Sequence, residues 1–511
     1  MKPYYSLVVV MVCIFCACNK QNIKYPDILL NSENRELKDV YKKIVKQKDS
    51  LRIKAADFLL NNMSNRFTYI SMPFYKNGVQ IVDLYKESAD NVTEVLSNIV
   101  KTHIGDRSIS YFDIDSMPGD LFIENLEYSL KAWKHPYSKN ISFNDFCNYI
   151  LPYRYLNEPL SDYKNYFHLI LGNRLDSIYQ TGDVQRVADF ILDYCGDNFS
   201  INPLYEKYMD GQQSVESIIY SGMGDNDDEV IFQSAIFSSS GFPVKIISSL
   251  TKKWCCVRIS DKWKIIIDNE ADNSLFFSET LDEKPFRVIE HPFQWQNGHI
   301  TKEIDNIFDI PHLLSINSVD VTQHFNKTYA VKIQNKEKKP GEILFLRILT
   351  QRTWKYIGWS KVDTTGHIAF SNLVEGGVYS ISDFKDGEDK LLENPMAFYI
   401  NDKGEPIFFN TDMESQNITH SMALVINERK IILNKQEYST SIKPARCMTV
   451  FWDGQYWQGV SNDSIFSNNQ NVILTIPDNT LMYTKLVDSL NTAYTITYTL
   501  HDDEIIVWPL P

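Results

Sequence analysis

The residue types that could do chemistry gather between Tyr220 and Asn269. An acidic run, Asp225, Asp227, Asp228 and Glu229, precedes an apolar stretch. Further on come Lys252, the adjacent thiols Cys255 and Cys256, and Asp268. A thiol attacks as its thiolate, beside a base that takes the proton. Neighbouring residues of a strand point to opposite faces, so only Cys256 shares a face with Lys252 and Trp254. The step from Lys252 spans roughly 13 Å, too far for proton transfer. Lys at its ordinary pKa is also a poor base near neutrality. Both thiols are therefore read as small hydrophobes of a core strand. The acidic run could ligate a hard cation, but it lacks the spacing and the distal bidentate Glu of a calcium loop. Carboxylates complementing a helix N-terminus are the simpler account.

The elements that must position these residues follow from periodicity. Val230, Ile231, Ser234, Ala235 and Ser238 recur at helical spacing near one face, and Gly241 closes the pattern. Val244 to Ser248, Trp254 to Ile259 and Trp263 to Asp268 are β-branched, aromatic or alternating, as strands are. The stretch predicts a helix running into a three-stranded meander.

That order, with the turn Gly241-Phe242-Pro243-Val244, Trp254 and Val257 on the second strand, and Trp263 and Asp268 on the third, resembles the core of the transglutaminase-like (papain-like thiol hydrolase) superfamily. The resemblance implies a Cys opening the helix, a His heading the second strand and an acid on the third. At the family's spacing those positions hold Asn226, Lys252 and Asp268, and the family's late-helix Arg becomes Ser238. Asn226, Lys252 and Asp268 are thus the degenerate triad positions, and no catalytic residue is expected. The implied cleft is a polar pocket for a peptide or glycan, or one closed by an ion pair of Lys252 with Asp268.

Lys2, the apolar Leu7 to Phe15 and Phe15-Cys16-Ala17-Cys18 resemble a lipoprotein signal and lipobox, with Cys18 the lipidated residue. The apolar run is too short to span a membrane as a mature helix. Asn19-Lys20-Gln21-Asn22 lacks the acidic cluster that resembles the surface-export signal of Bacteroidetes lipoproteins, which favours the periplasmic face over the cell surface. Beyond Cys18 stand Cys147, Cys195, Cys255, Cys256 and Cys447, an odd set without repeated spacing that argues against a disulfide framework or a zinc site. No metal and no cofactor are expected. A net charge of −14 without a basic block argues against nucleic acid as a partner.

A long helical pattern runs from Leu30 to Met63, with Leu37, Val40, Tyr41, Ile44, Leu51 and Ile53 on a drifting face. Further helices are predicted over Ala89 to Lys101, Gly119 to Lys134, Ser142 to Leu151, Tyr163 to Tyr179 and Val184 to Tyr194. In the block from Ser142 to Arg154, Ser142 can cap, Phe143, Phe146, Tyr149 and Ile150 form the buried face, and Pro152 stops the helix. With Glu158-Pro159 it resembles the segment preceding the core in a family of large Bacteroidetes lipoproteins. Cys147 within it is read as core, and His291, His299 and His312 as loop or packing residues.

From Tyr329, seven short strands separated by turn residues have the spacing of an antiparallel sandwich, and a second strand-rich unit follows Thr419. The stretch from Asp453 to Asn462 resembles the entry of a discoidin-like domain. Trp354, Trp359, Trp452, Tyr456 and Trp457 are the ligand-binding candidates, since aromatic faces stack on sugars; filling the sandwich cores is the alternative. The expected fold class is multidomain α+β: a helical arm plus a transglutaminase-like core, then two antiparallel β-sandwich domains. The expected divisions are a signal peptide over 1–17, the helical and core region over 18–315, and sandwiches over 316–412 and 413–511. The expected function is a non-catalytic envelope lipoprotein that binds a glycan or peptide. Its rivals are an active thiol-type peptidase or acyl-transfer enzyme and a scaffold for partner proteins.

Overall fold

The computed structural model describes residues 25–80, 108–294 and 318–409, apart from short internal breaks, and beyond 410 a set of strands. Helices and antiparallel sheets mix along the chain, which divides into two compact units, Met1–Ile246 with Cys255–Glu279 and Ile247–Trp254 with Thr280–Pro511. Among the described residues no helix is long and apolar enough to cross a membrane.

After a short helix at Asp27–Asn31, the first unit has α1 (Arg35–Lys46) and α2 (Ser50–Asn61). The continuous pattern expected over Leu30 to Met63 is broken here, because Lys48 takes a positive φ of 57° and Asp49 caps a new helix through the N–H groups of Leu51 and Arg52. The first half of the expected stripe, Leu37, Val40, Tyr41 and Ile44, is buried, whereas Leu51 is exposed. A hairpin-like pair, β1 (Phe67–Ser71) and β2 (Ser108–Phe112), is antiparallel. Then follow α3 (Gly119–Trp133), α4 (Phe143–Tyr149), α5 (Lys164–Tyr179), α6 (Val184–Asn198), α7 (Val215–Ser221) and α8 (Asn226–Ser239). The strands β3 (Val244–Ser248) and β4 (Lys253–Ile259), whose residues 247–254 fall in the second unit, and β5 (Lys262–Asn269) and β6 (Ser274–Ser278) follow, adjacent in the order β6-β5-β4-β3. Ile259 faces Lys262 across a two-residue turn in which Ser260 and Asp261 both have positive φ, the conformation whose twist suits a tight hairpin. The helix expected over Ala89 to Lys101 lies outside the described residues.

Side-chain hydrogen bonds hold the block around α4. Ser142 caps it through the Asp145 N–H at 3.1 Å, and Trp133 stacks on Phe146 at 4.7 Å. The helix ends at Tyr149, before Pro152 is reached. Just beyond it the Ile150 carbonyl accepts from the buried Lys164 side chain at 2.7 Å, which also donates to Ser129 Oγ at 2.7 Å. A cation at a helix C-terminus complements the dipole there. Arg154, 1% exposed, pairs with Asp113 at 3.1 Å and donates to Thr68 Oγ1, the Glu158 carbonyl and the Phe67 carbonyl. The Glu158 carboxylate in turn accepts the N–H groups of Tyr155 and Leu156.

In the second unit β7 (Ile289–Glu290) pairs with Ser248 and Ile247 on one side and with β8 (Val319–Asp320) on the other. Asp320 anchors Arg287 at 2.8 Å, Asn372 at 2.6 Å and the Thr322 hydroxyl at 2.6 Å. The strands β9 (Thr328–Gln334), β10 (Ile343–Thr350), β11 (Thr353–Lys361), β12 (His367–Val374), β13 (Val378–Lys385), β14 (Met396–Ile400) and β15 (Pro406–Phe408) form two antiparallel sheets, β9-β12 and β11-β10-β13-β14-β15. Alternate residues of both, among them Val331, Ile333, Leu346, Ile348, Ile368, Phe370, Ile381 and Phe398, enclose one core. At the corner into β13 the Tyr379 hydroxyl accepts the Val374 N–H at 2.9 Å and donates to the Val374 carbonyl. Gly377 leaves room for that ring: a Cβ there would stand 2.4 Å from the hydroxyl. Beyond 410 the strands fall into two further antiparallel sheets, whose middle members include Thr419–Asn427 and Thr480–Val487.

Two substitutions test these positions. Tyr379→Phe leaves the Val374 N–H unpaired in a core and is expected to cost about 1–3 kcal/mol, seen as a lower urea midpoint at unchanged slope. Gly241 has a φ of 87° and its missing Cβ would lie 2.4 Å from the Ala132 carbonyl oxygen. Gly241→Ala is therefore expected to cost at least about 1–2 kcal/mol by the same measurement, from the left-handed conformation alone.

Candidate functional site

The start of α8 is built from carboxylates and amides. Asp225 caps it, accepting the Asp228 N–H at 2.9 Å, and Asp228 reaches back to the Asp225 N–H at 3.3 Å, a reciprocal capping box. Asp228 also accepts the backbone N–H of Gln213 at 2.7 Å and its side-chain amide at 2.8 Å. Gln212 donates to Asp227 at 3.0 Å. The carboxylates thus meet local N–H donors, as helix-start residues do. Gly224 permits the close approach, since a Cβ there would lie 2.4 Å from Asp228 Oδ2. Burial and the Asp225 carboxylate push the Asp228 carboxyl up to about 8, against the downward pull of its N–H bonds. Among the described residues no three His, Cys, Asp or Glu side chains are grouped to hold a metal ion.

Asn226 is the first residue of α8, half-buried, and Asp268 lies on β5 opposite Leu275, both in the first unit. Lys252 belongs to the second unit, where its ammonium meets Asp282 at 2.9 Å. The other oxygen of Asp282 accepts the indole N–H of Trp254 at 3.2 Å. Ser238 receives the hydroxyl contact of Tyr155, whose ring is buried beside Tyr163. Cys255, Cys256, Cys147 and Cys195 are all buried free thiols. Burial pushes the Cys147 thiol up to about 12 and raises those of Cys195 and Cys255. A thiol so raised is protonated at neutral pH and is a poor nucleophile.

Three of the aromatic candidates come together in the second unit. Trp354 and Trp452 lie with ring centroids 5.5 Å apart, Trp452 and Trp457 at 5.3 Å, and Tyr483 extends the row at 4.6 Å from Trp457. The Arg347 guanidinium sits 5.5 Å from the Trp354 ring centre. Trp452 is only 4% exposed and packs with Leu349, Val378, Tyr399 and Leu481, so it is a core residue; Trp457 is half-buried between Trp452 and Tyr483. Trp359 is elsewhere, against Phe345, Tyr356 and Phe384. Tyr456 and Cys18 lie outside the described residues, as do His299 and His312.

Sequence reasoning missed Asp282, Gln213, Arg347 and Tyr483, whose partners are distant in the chain or unmarked by a motif. His291, read as a loop or packing residue, lies outside helix and strand, with its Nε2 2.8 Å from the Ser248 hydroxyl. That is the separation of a nucleophile from its base, but Ser248 is 4% exposed, and its hydroxyl offers a substrate no path. Compared with known proteins, the chain matches no family model, no curated protein and no solved structure.

The raised carboxyl of Asp228 makes a pH prediction. Its folded pKa of about 8 exceeds the ordinary 3.8, so its contribution to stability is complete below 3.8 and lost as pH rises through about 8. Asp228→Asn cannot ionise and is expected to gain stability relative to the native chain between about pH 5 and about pH 8. Paired urea titrations at those pH values check it; a gap independent of pH would mean an acid ionised throughout.

Proposed function

We propose that this chain is a non-catalytic, lipid-anchored protein of the bacterial cell envelope, in which a transglutaminase-like core without its thiol–imidazole pair binds a glycan or peptide ligand. One observation carries the non-catalytic reading. The helix start where the family's thiol would stand holds Asn226, flanked by Asp225 and Asp227, while Cys147, Cys195, Cys255 and Cys256 all lie buried. Asn has no ionisable nucleophile. The order of a helix, a Gly-Phe-Pro turn and antiparallel strands supports the transglutaminase-like reading of the core. Two sheets around one core, with a tyrosine bonded back across the corner, support a sandwich over 316–412. The antiparallel sheets beyond it support a second.

For the ligand, the half-buried Trp457 of the aromatic row is the ring on which a sugar or an apolar side chain would stack. The enclosure of Trp452 favours a second reading, in which the row only braces the fold and the protein is a scaffold for partners.

Two measurements decide between these. A thiol-reactive probe is expected to leave Cys147, Cys195, Cys255 and Cys256 unlabelled in the native protein and to label them on denaturation. Stoichiometric native labelling of Cys255 or Cys256, with loss of an amidase activity, would return the chain to the active enzymes. On a glycan array the native chain is expected to bind and Trp457→Ala to lose up to about tenfold in affinity, one stacked ring's worth. No signal on any glycan favours a peptide or protein partner.

A further inference from the structure

Between Arg35 and Lys54 the chain carries eight Lys and Arg against three Asp and Glu. With the whole chain at −14, that arm at +5 leaves −19 on the rest. The three acids are engaged locally. Glu36 accepts the Gly119 N–H at 3.0 Å, Asp39 pairs with Lys42 at 2.9 Å, and Asp49 caps α2. Arg52 pairs with Glu127 at 2.8 Å, and Lys38 donates to the Ser32 carbonyl at 2.6 Å. Arg35, Lys43, Lys46, Lys48 and Lys54 are exposed along α1, the turn after it and the start of α2. Burial of Leu37, Val40, Tyr41 and Ile44 sets Arg35 and Lys46 on the opposite side of α1. Leu30, 55% exposed, and Leu51, 42% exposed, stand on the touching helices Asp27–Asn31 and α2.

We propose that this basic arm is a docking surface for an anionic phospholipid bilayer, which it meets beside the lipid anchor; the proposal rests on the lipid-anchored reading above. Charge complementarity is the first argument. Each Lys or Arg close to an anionic lipid surface strengthens binding about fivefold. Charges farther than about 8 Å from that surface are screened at physiological salt, so the residues in contact decide and the distant acids do not. Position selects the same partner. An anchor at Cys18 stands seven residues before Tyr25, a reach of at most about 25 Å. The Tyr25 ring lies 5.8 Å from the ring of Tyr41 on α1, so the anchored end of the chain enters against the arm itself. The exposed leucines add apolar contact at the level of the headgroups. Among the described residues no helix is long and apolar enough to span, so the arm meets the surface without crossing it.

Vesicle co-sedimentation tests this with the chain from Asn19 onward, which keeps every described residue and lacks the anchor. It is expected to pellet with phosphatidylcholine vesicles that contain phosphatidylglycerol, not with phosphatidylcholine alone, and to be released by high salt. Lys43→Glu, Lys46→Glu and Lys48→Glu together are expected to weaken binding at least about a hundredfold, with an unchanged circular dichroism spectrum. The same change of charge through Lys134→Glu, Lys139→Glu and Lys403→Glu, all exposed and outside the arm, is expected to leave most of the binding. A chain that binds neither vesicle overturns the inference and leaves the arm to an acidic protein. Equal binding to both vesicles overturns it too, as does a Lys43, Lys46 and Lys48 variant that binds like the native chain. The anchor is tested apart from this, by uptake of a labelled fatty acid into the native chain that Cys18→Ser abolishes. Absence of that label overturns the anchored reading, whatever the vesicles show.

Discussion

The enclosure of helix α8 is the constraint on which the first unit depends. Every residue from Asp228 to Ser239 is buried, with α3, α5, α6 and α7 around the helix and side chains of β3, β4 and β5 in the same core. A helix so surrounded cannot leave polar groups to water, so each must find a partner inside. Ser239 returns its hydroxyl to the Ala235 carbonyl at 2.6 Å, Ser234 meets Cys255 Sγ at 3.4 Å, and Ser238 meets Tyr155. The serines are small enough to let neighbouring elements approach, and back-bonding to the preceding turn satisfies them locally. The C-terminal end is held the same way, with Ser138 donating to the Gly241 carbonyl and Tyr137 to the Ser240 carbonyl.

The block from Ser142 to Glu158 supplies the supports around that helix. Arg154 draws β1, the Asp113 carboxylate and its own loop together, and Lys164 ties the end of α4 to α3 through Ser129. Both cations are almost completely buried, and burial lowers the Lys164 pKa well below its ordinary value. Removing one partner of such a group leaves a buried charge or lone pair unmet, which costs more than the bond contributes. That asymmetry gives the block a positional role without any chemistry of its own.

How much of this could be read beforehand follows the range of the interactions. The cap at Ser142, the acids at the start of α8, the glycine at its end and the three strands after it are set by neighbours within a few residues, and their patterns were legible. The break at Lys48 was hidden, because apolar spacing continued across it and only a backbone angle marks it. The one-faced helix expected around Val230 and Ala235 is buried all round, because its serines read as polar although each hydroxyl is satisfied inside. Thr68, which meets Arg154, and Ser238, which meets Tyr155, lie more than eighty residues away along the chain, and no local pattern encodes those contacts. At the candidate site the helix start was legible; the turn of Asp282 toward Lys252 and the convergence of Trp354, Trp452 and Trp457 were products of folding.

The electrostatics at the start of α8 bear on more than the identity of residue 226. A helix N-terminus lowers a thiol pKa by offering unpaired N–H groups and the positive end of its dipole. Here Asp225 takes the Asp228 N–H, and Asp228 lies buried against Gln213 and the Asp225 N–H. These donors are therefore already taken by the Asp225 carboxylate and by the Asp228 carboxyl, whose burial raises its pKa. A sulfur introduced at Asn226 would sit between Asp225 and Asp227, and their charge would oppose its ionisation. A cysteine at position 226 alone would therefore not be an activated thiol. On the reading proposed above, the loss of catalysis belongs to the whole helix start, whose carboxylates now serve to hold a fully enclosed helix in place.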